Sequence, residues 1–143
     1  MVDKTLILRK LAKLDEYLGQ IREYSAVSLE EYEENWKVQR IIERTLQIMI
    51  ETCLDVAGHI ISDEGFRVPE TYAEMFKILI ENRILEKTQS DPLTKMAKFR
   101  NIVVHNYEKM DPSIVVGILR NNLEDFDMFK RSVIAYLKTK EQQ

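Results

Sequence analysis

The stretch "RTLQIMIETCLDVAGHII", residues 44–61, decides the fold. Its polar side chains recur every three or four residues, so they form one narrow stripe if the segment is helical. With one residue added upstream, the stripe consists of Arg40, Arg44, Gln47, Glu51, Asp55 and His59. Almost every other side chain here is apolar, so the helix must be buried on more than one side. We expect a central helix or a subunit interface, with self-association providing the second buried side.

Apolar residues at helical spacing continue on both sides of this segment. They predict five helices, at about residues 2–23, 29–62, 69–85, 91–104 and 111–137. Start signals support three of them: a capping box at Ser28 and Glu31, and Asp-Pro pairs at residues 91–92 and 111–112. The short connections predict an all-α antiparallel bundle that forms a homodimer, with one domain spanning residues 1–143.

The composition agrees with a small helical protein. The chain has 143 residues, of which 45% are hydrophobic, with only four glycines and three prolines. Cys53 is the only cysteine, so an intrachain disulfide is impossible and a reducing cytoplasm is the expected location. No apolar run approaches the roughly 18 residues that span a bilayer, so we expect no membrane association and no secretion.

The charge of the chain excludes some partners and suggests another. A formal net charge of −3 gives no overall attraction to nucleic acid, and we expect no DNA binding. Residues 87–109, however, carry five basic residues against two acidic ones. A solvated helix face explains such a surplus equally well. If RNA binds this segment, the expected contacts are Lys95, Lys98 and Lys109.

The segment "FRNIVVHNY", residues 99–107, combines an arginine, a histidine and a tyrosine. On an ideal helix, Arg100 and Tyr107 lie about 20° apart, whereas Arg100 and His105 lie about 140° apart. The three side chains therefore cannot converge on one uninterrupted helix. Either the helix ends near Val104, so that His105 and Tyr107 turn back toward Arg100, or two subunits contribute to one site.

These side chains have matched chemical abilities. An arginine binds two phosphate oxygens at once, and a histidine with a pKa near 6.5 can move protons at neutral pH. Tyr107 can donate a hydrogen bond to phosphate or stack on a base. Glu51 or Asp55 of the polar stripe could hold the guanidinium of Arg100. The same residues also fit a satisfied structural cluster, and the polar stripe also fits a solvated edge with ion pairs.

The spacing of the motif resembles that of a known family. Arg100, four residues, His105, one residue and Tyr107, with Asn101 after the arginine, is similar to the signature of HEPN-domain ribonucleases of the HepT toxin type. The segments at residues 44–61 and 99–107 are also similar to that family. The resemblance implies a helical homodimer that acts as a metal-independent endoribonuclease. It implies catalytic roles for Arg100 and His105, with Asn101 in support, and no cofactor.

The resemblance also implies a partner. In these toxins, a tyrosine at the position of Tyr107 receives AMP from a nucleotidyltransferase antitoxin of the minimal (MNT) type, which silences the toxin. Two other readings stay open. In the first, the chain is a non-catalytic module that binds a nucleotide or phosphate and partners a nucleotidyltransferase. In the second, it is a purely structural bundle in which Arg100 and Tyr107 make core hydrogen bonds.

Overall fold

Every regular element of the protein is helical in the computed structural model, which describes residues 2–143. Within that range the chain forms seven α-helices, and short 3₁₀ turns follow α1, precede α5 and follow α5. The helices are α1 (Lys4–Ile21), α2 (Leu29–Glu34), α3 (Trp36–Glu64), α4 (Tyr72–Glu81), α5 (Ser90–His105), α6 (Pro112–Asn121) and α7 (Leu123–Glu141). The predicted all-α class is confirmed. None of the helices in the described residues has the length and apolarity needed to cross a lipid bilayer.

The predicted helix over residues 29–62 is in fact two helices, and Asn35 separates them. Asn35 has an extended backbone (φ −118°, ψ 96°), and its side-chain oxygen accepts hydrogen bonds from the N–H groups of Lys37 and Val38 at 3.1 and 3.2 Å. An asparagine competes with the helical backbone in this way because its short side chain reaches nearby N–H groups. The single helix was therefore a wrong prediction, although Ser28 caps α2 as expected.

The predicted last helix is also divided. Asp111 caps α6 and Pro112 takes its first position, as the sequence indicates. At Asn122 the backbone leaves the helical region (φ −122°, ψ 4°), and α7 begins at the next residue. The other boundary differences are smaller: Thr71 rather than Pro69 marks the start of α4, and α5 continues through His105.

Helix α3 is the centre of the bundle. It packs against α1, α2, α4, α5 and α7. Its buried residues are Ile42, Glu43, Leu46, Met49, Ile50, Cys53, Leu54, Val56, Ala57, Ile60 and Ile61. The second buried side that the sequence predicts is thus supplied by other helices of the same chain. The expectation that self-association would supply it was wrong.

One hydrophobic core extends along the chain from Ile7 to Leu137. In its interior, the ring of Phe76 on α4 meets Phe129 on α7 edge to face, with ring centroids 6.0 Å apart. Helix α5 packs against both α3 and α4, and its residue Arg100 contacts Glu51 of α3 and Tyr72 of α4. This packing places the segment at residues 99–107 against the polar stripe of α3.

The cap at Asn35 gives a test of the divided helix. Replacing Asn35 by Ala should lower the free energy of unfolding by about 1 kcal/mol, because two N–H groups lose their acceptor. In a continuous helix the same change would raise stability, because alanine is the better helix former. Urea unfolding followed by circular dichroism measures the sign of the change in the free energy of unfolding. Asn35→Asp, which keeps the cap, is the control and should change stability little.

Candidate active site

Arg100 points from α5 toward α3 and α4. Its guanidinium carbon lies 4.8 Å from the ring centroid of Tyr72, and its Nε lies 3.8 Å from Oε1 of Glu51. The Arg100 side chain is only 14% exposed. Stacking on an aromatic ring and a loose ion pair therefore hold the arginine in a fixed orientation.

The protein does not use all the hydrogen-bond donors of the Arg100 guanidinium. One terminal nitrogen donates to the side-chain oxygen of the neighbouring Asn101 at 3.3 Å. The buried Nε has no hydrogen-bond partner in the described part of the chain. An anion that enters the cleft can accept hydrogen bonds from the terminal N–H groups of the guanidinium that the protein does not use. Arg100 is therefore suited to bind an anion such as a phosphate.

Two adjacent depressions flank Arg100 and His105. The first is a cleft of about 480 Å³ between α3, α4 and α5, lined by Arg100 together with Glu51 and His59. The second is a groove of about 660 Å³ lined by His105 and Asn101. Tyr72 and Met75 of α4 line both. Each depression is large enough for a nucleotide-sized ligand.

His105 is the last residue of α5, and its side chain is exposed. Because α5 is helical from Ser90 through His105, Arg100 and His105 keep their separation of about 140° around the axis and about 7.5 Å along it. The helix ends one residue after Val104, but His105 still belongs to it, so the alternative in which His105 turns back toward Arg100 within one chain is wrong. Within one chain, the two side chains open into different depressions.

Tyr107 does not turn back toward Arg100 either. It lies in the turn after α5 and contacts the first turns of α3, where its hydroxyl donates to Oε1 of Glu43 at 2.6 Å. The same hydroxyl accepts a hydrogen bond from Arg40 at 2.5 Å, and the guanidinium carbon of Arg40 lies 5.3 Å from the ring centroid. Glu43 and the Glu51 partner of Arg100 are about 12 Å apart along α3.

Glu43 is a residue of this region that the sequence analysis missed. Its side chain is 5% exposed, and its second oxygen accepts a hydrogen bond from the hydroxyl of Tyr32 on α2. Burial, followed by the hydrogen bond to Glu43, raises the pKa of Tyr107 above its usual range, and the same two causes raise that of Tyr32. A signal was available, because Glu43 is the one charged residue on the apolar side of α3.

The two acidic residues proposed to support Arg100 differ in their contacts. Glu51 accepts a hydrogen bond from Gln47 at 2.7 Å and faces Arg100. Asp55 lines the same cleft, but it pairs with Lys10 of α1 and lies 3.6 Å from Nε2 of His59. Glu51 is thus the acidic side chain that the structure brings to the guanidinium.

The three lysines predicted to contact RNA lie on different surfaces. Lys98 is exposed three residues before Asn101 and seven before His105, so these three side chains share one face of α5. Lys95 lines a separate groove between α5 and α6. Lys109 is exposed in the turn that follows α5. No group of three or more metal-ligating side chains is found in residues 2–143.

A comparison with protein families identifies the family of this chain. The family model described as "Ribonuclease HepT-like" matches residues 14–133. The chain belongs to the HepT-like ribonuclease family. Membership confirms the resemblance to HepT-type toxins and the class of enzyme, a ribonuclease.

Known relatives are similar over most of their length. The chain is 30% identical over 125 residues to the mRNA nuclease HepT of Shewanella oneidensis, covering 87% of this chain and 92% of that protein. It is 26% identical over 142 residues to the tRNA nuclease HepT of Aphanizomenon flos-aquae, covering 99% and 97%. A solved structure of the tri-AMPylated HEPN toxin of S. oneidensis in complex with an MNT antitoxin gives a TM-score of 0.83 at 29% identity, covering 94% of this chain and 99% of that chain.

Proposed function

We propose that this member of the HepT-like family is a toxin that acts in the cytoplasm as a metal-independent endoribonuclease. The observation that carries the proposal is that two adjacent depressions hold an arginine with unused hydrogen-bonding capacity and, five residues later, an exposed histidine. Arg100 and His105 are the catalytic residues, with Asn101 and Glu51 orienting the guanidinium. Asp55 contributes to the wall of the cleft.

The reaction uses a nucleophile that RNA carries itself. The ribose 2′-oxygen attacks the adjacent phosphorus, the bond to the 5′-oxygen breaks, and a 2′,3′-cyclic phosphate remains. His105 either accepts the proton of the 2′-hydroxyl or donates one to the departing 5′-oxygen, and water takes up or supplies the other proton. Arg100 stabilises the extra negative charge on the phosphate oxygens. Because the nucleophile is intramolecular and proton transfer comes from His105, the step requires no metal ion and no organic cofactor.

The active unit is a homodimer in which one copy supplies Arg100 and the other His105 to each phosphodiester. Continuous helix α5 supports this, because it holds the two side chains of one copy too far around its axis for both to reach one phosphate. Exposed apolar side chains are available beside the motif for burial by a second copy. They include Ile41 on α3 and Val104 on α5, which are 46% and 39% exposed. RNA would then contact Lys98, which shares a face of α5 with His105. Lys95 and Lys109 would contact RNA further from His105.

The toxin is silenced when a nucleotidyltransferase antitoxin of the MNT type adds AMP to Tyr107. The S. oneidensis relative, which is AMPylated in its complex with an MNT antitoxin, supports this. Tyr107 is 40% exposed, so this residue lies at the surface where a partner enzyme can contact it. Attached AMP places a negative phosphodiester two residues after His105, where it repels RNA phosphate.

A second candidate function is a non-catalytic module that binds a nucleotide or a phosphate. The unpaired Nε of Arg100 and the adjacent cleft favour it, because both would serve binding without any proton transfer. In that case His105 would contribute little, and the chain would only present a ligand to its nucleotidyltransferase partner.

The first prediction concerns RNA cleavage by the unmodified protein. In EDTA, wild type should cleave a defined RNA, and His105→Ala should lower the rate by about 10²- to 10⁴-fold because one proton transfer is lost. Lys138→Ala, which alters an exposed residue of α7 that lines neither depression, is the control and should keep most of the activity. Gel filtration should show the same dimer for all three proteins.

Two results would count against the ribonuclease. If wild type and His105→Ala leave RNA equally intact, the binding module becomes the better description. If cleavage disappears in EDTA and returns with added Mg²⁺, metal-independent catalysis is wrong.

The second prediction concerns the modification. After coexpression with an MNT-type antitoxin, intact-mass analysis should show added AMP, and peptide mapping should place it on Tyr107. Tyr107→Phe should carry none, because the acceptor oxygen is missing. Tyr72→Phe is the matched control, since Tyr72 is 42% exposed and so equally accessible. An adduct that persists on Tyr107→Phe would show that another residue is the acceptor.

A further inference from the structure

Tyr107 is held by a small cluster of polar side chains under the surface. The cluster, named here the Glu43 cluster, consists of Tyr32, Arg40, Glu43 and Tyr107. Both carboxylate oxygens of Glu43 are occupied by tyrosine hydroxyls: Tyr107 donates to Oε1 at 2.6 Å, and Tyr32 donates to Oε2. Ribonuclease chemistry at Arg100 and His105 makes no use of this cluster.

The geometry fits removal of a proton from Tyr107. A general base must lie within hydrogen-bond distance of the proton that it takes, and Oε1 of Glu43 meets that condition. Glu43 is almost completely buried, so water has little access to it. The proton of the Tyr107 hydroxyl therefore points to a carboxylate and away from bulk solvent.

We propose that Glu43 is the general base for transfer of AMP to Tyr107, so that the toxin supplies part of the chemistry of its own silencing. This inference rests on the proposed function, because it takes Tyr107 as the acceptor. ATP bound by the partner nucleotidyltransferase is the co-substrate. The Tyr107 oxygen bonds to the α-phosphorus, the bond from that phosphorus to the bridging oxygen breaks, and pyrophosphate leaves. The hydroxyl proton passes to Oε1 of Glu43 and then to solvent.

Such a base is needed because of the surroundings of the hydroxyl. Burial, together with the nearby Glu43 carboxylate, raises the pKa of Tyr107, so the phenolate is scarce at neutral pH. As the new oxygen–phosphorus bond forms, the phenolic proton becomes strongly acidic. A carboxylate already in contact with it can then accept it without any rearrangement.

The other two members of the cluster are positioning residues. Tyr32 is 1% exposed and fixes the orientation of the Glu43 carboxylate by donating to its second oxygen. Arg40 lies 3.5 Å from Oε1 of Glu43 and donates to the Tyr107 oxygen, so its positive charge stands beside the attacking atom. The same charge lies where an incoming α-phosphate would approach.

The test measures how fast AMP is added. Purified full-length chain is mixed with an MNT-type nucleotidyltransferase, ATP and Mg²⁺, and the fraction modified is followed by intact mass. Glu43→Gln keeps the shape of the side chain and one accepting oxygen but cannot take the proton. It should slow AMP addition by about 10²- to 10⁴-fold. Tyr32→Phe, which leaves the contact between Glu43 and Tyr107 in place, should change the rate by less than tenfold.

Controls separate a chemical role from a structural one. Glu33→Gln alters an exposed glutamate of α2 and should be modified at the wild-type rate. Thermal unfolding by circular dichroism identifies variants that do not fold. The pH profile is the second readout: for Glu43→Gln the rate should rise about tenfold per pH unit, because hydroxide must replace the missing base, whereas the wild-type rate should level off.

Each outcome decides a different point. A folded Glu43→Gln protein that is modified as fast as wild type, or that is slow with an unchanged pH profile, overturns the role of Glu43 as a base and leaves the proposed function standing. If wild type itself receives no AMP on Tyr107, both the silencing mechanism and this inference are wrong.

Discussion

The unbroken helix from Ser90 to His105 is the constraint on which the account of this protein depends. It fixes Arg100 against α3 and α4, while His105, about 140° further around the axis, lines a different groove. In the proposed reaction, the phosphate-binding arginine and the proton-transferring histidine would then come from two copies of the chain. In the proposed function, catalysis therefore depends on association of two copies of the chain.

A second constraint is the buried carboxylate of Glu43. It joins α2, through Tyr32, to the turn that carries Tyr107, so the packing of the first turns of α3 sets the position of the residue to be modified. Glu51, which faces Arg100, and Glu43, which holds Tyr107, are about 12 Å apart along α3, yet Tyr107 follows His105 by two residues in the chain. A charged group added to Tyr107 therefore lies near His105.

Much of the fold could be predicted from the sequence, because it depends on local patterns. The apolar periodicity of residues 44–61 identifies the central helix, and the caps at Ser28 and Asp111 fix two helix starts. The breaks at Asn35 and Asn122 were missed, since asparagine also occurs within helices and the apolar periodicity does not show where it ends one. The contact between Tyr107 and Glu43 joins residues 64 positions apart, which no periodicity reveals. Family membership, by contrast, could be inferred from the spacing of the motif that contains Arg100 and His105.

Complementation between two inactive variants tests the central claim most directly. Arg100→Ala and His105→Ala are each purified, mixed, dissociated and allowed to reassociate, and RNA cleavage is then measured. If each site takes its arginine from one copy and its histidine from the other, every mixed dimer holds one intact site, and the mixture should recover about a quarter of the wild-type rate. A mixture that contains mixed dimers but is as inactive as either variant alone would contradict the shared site.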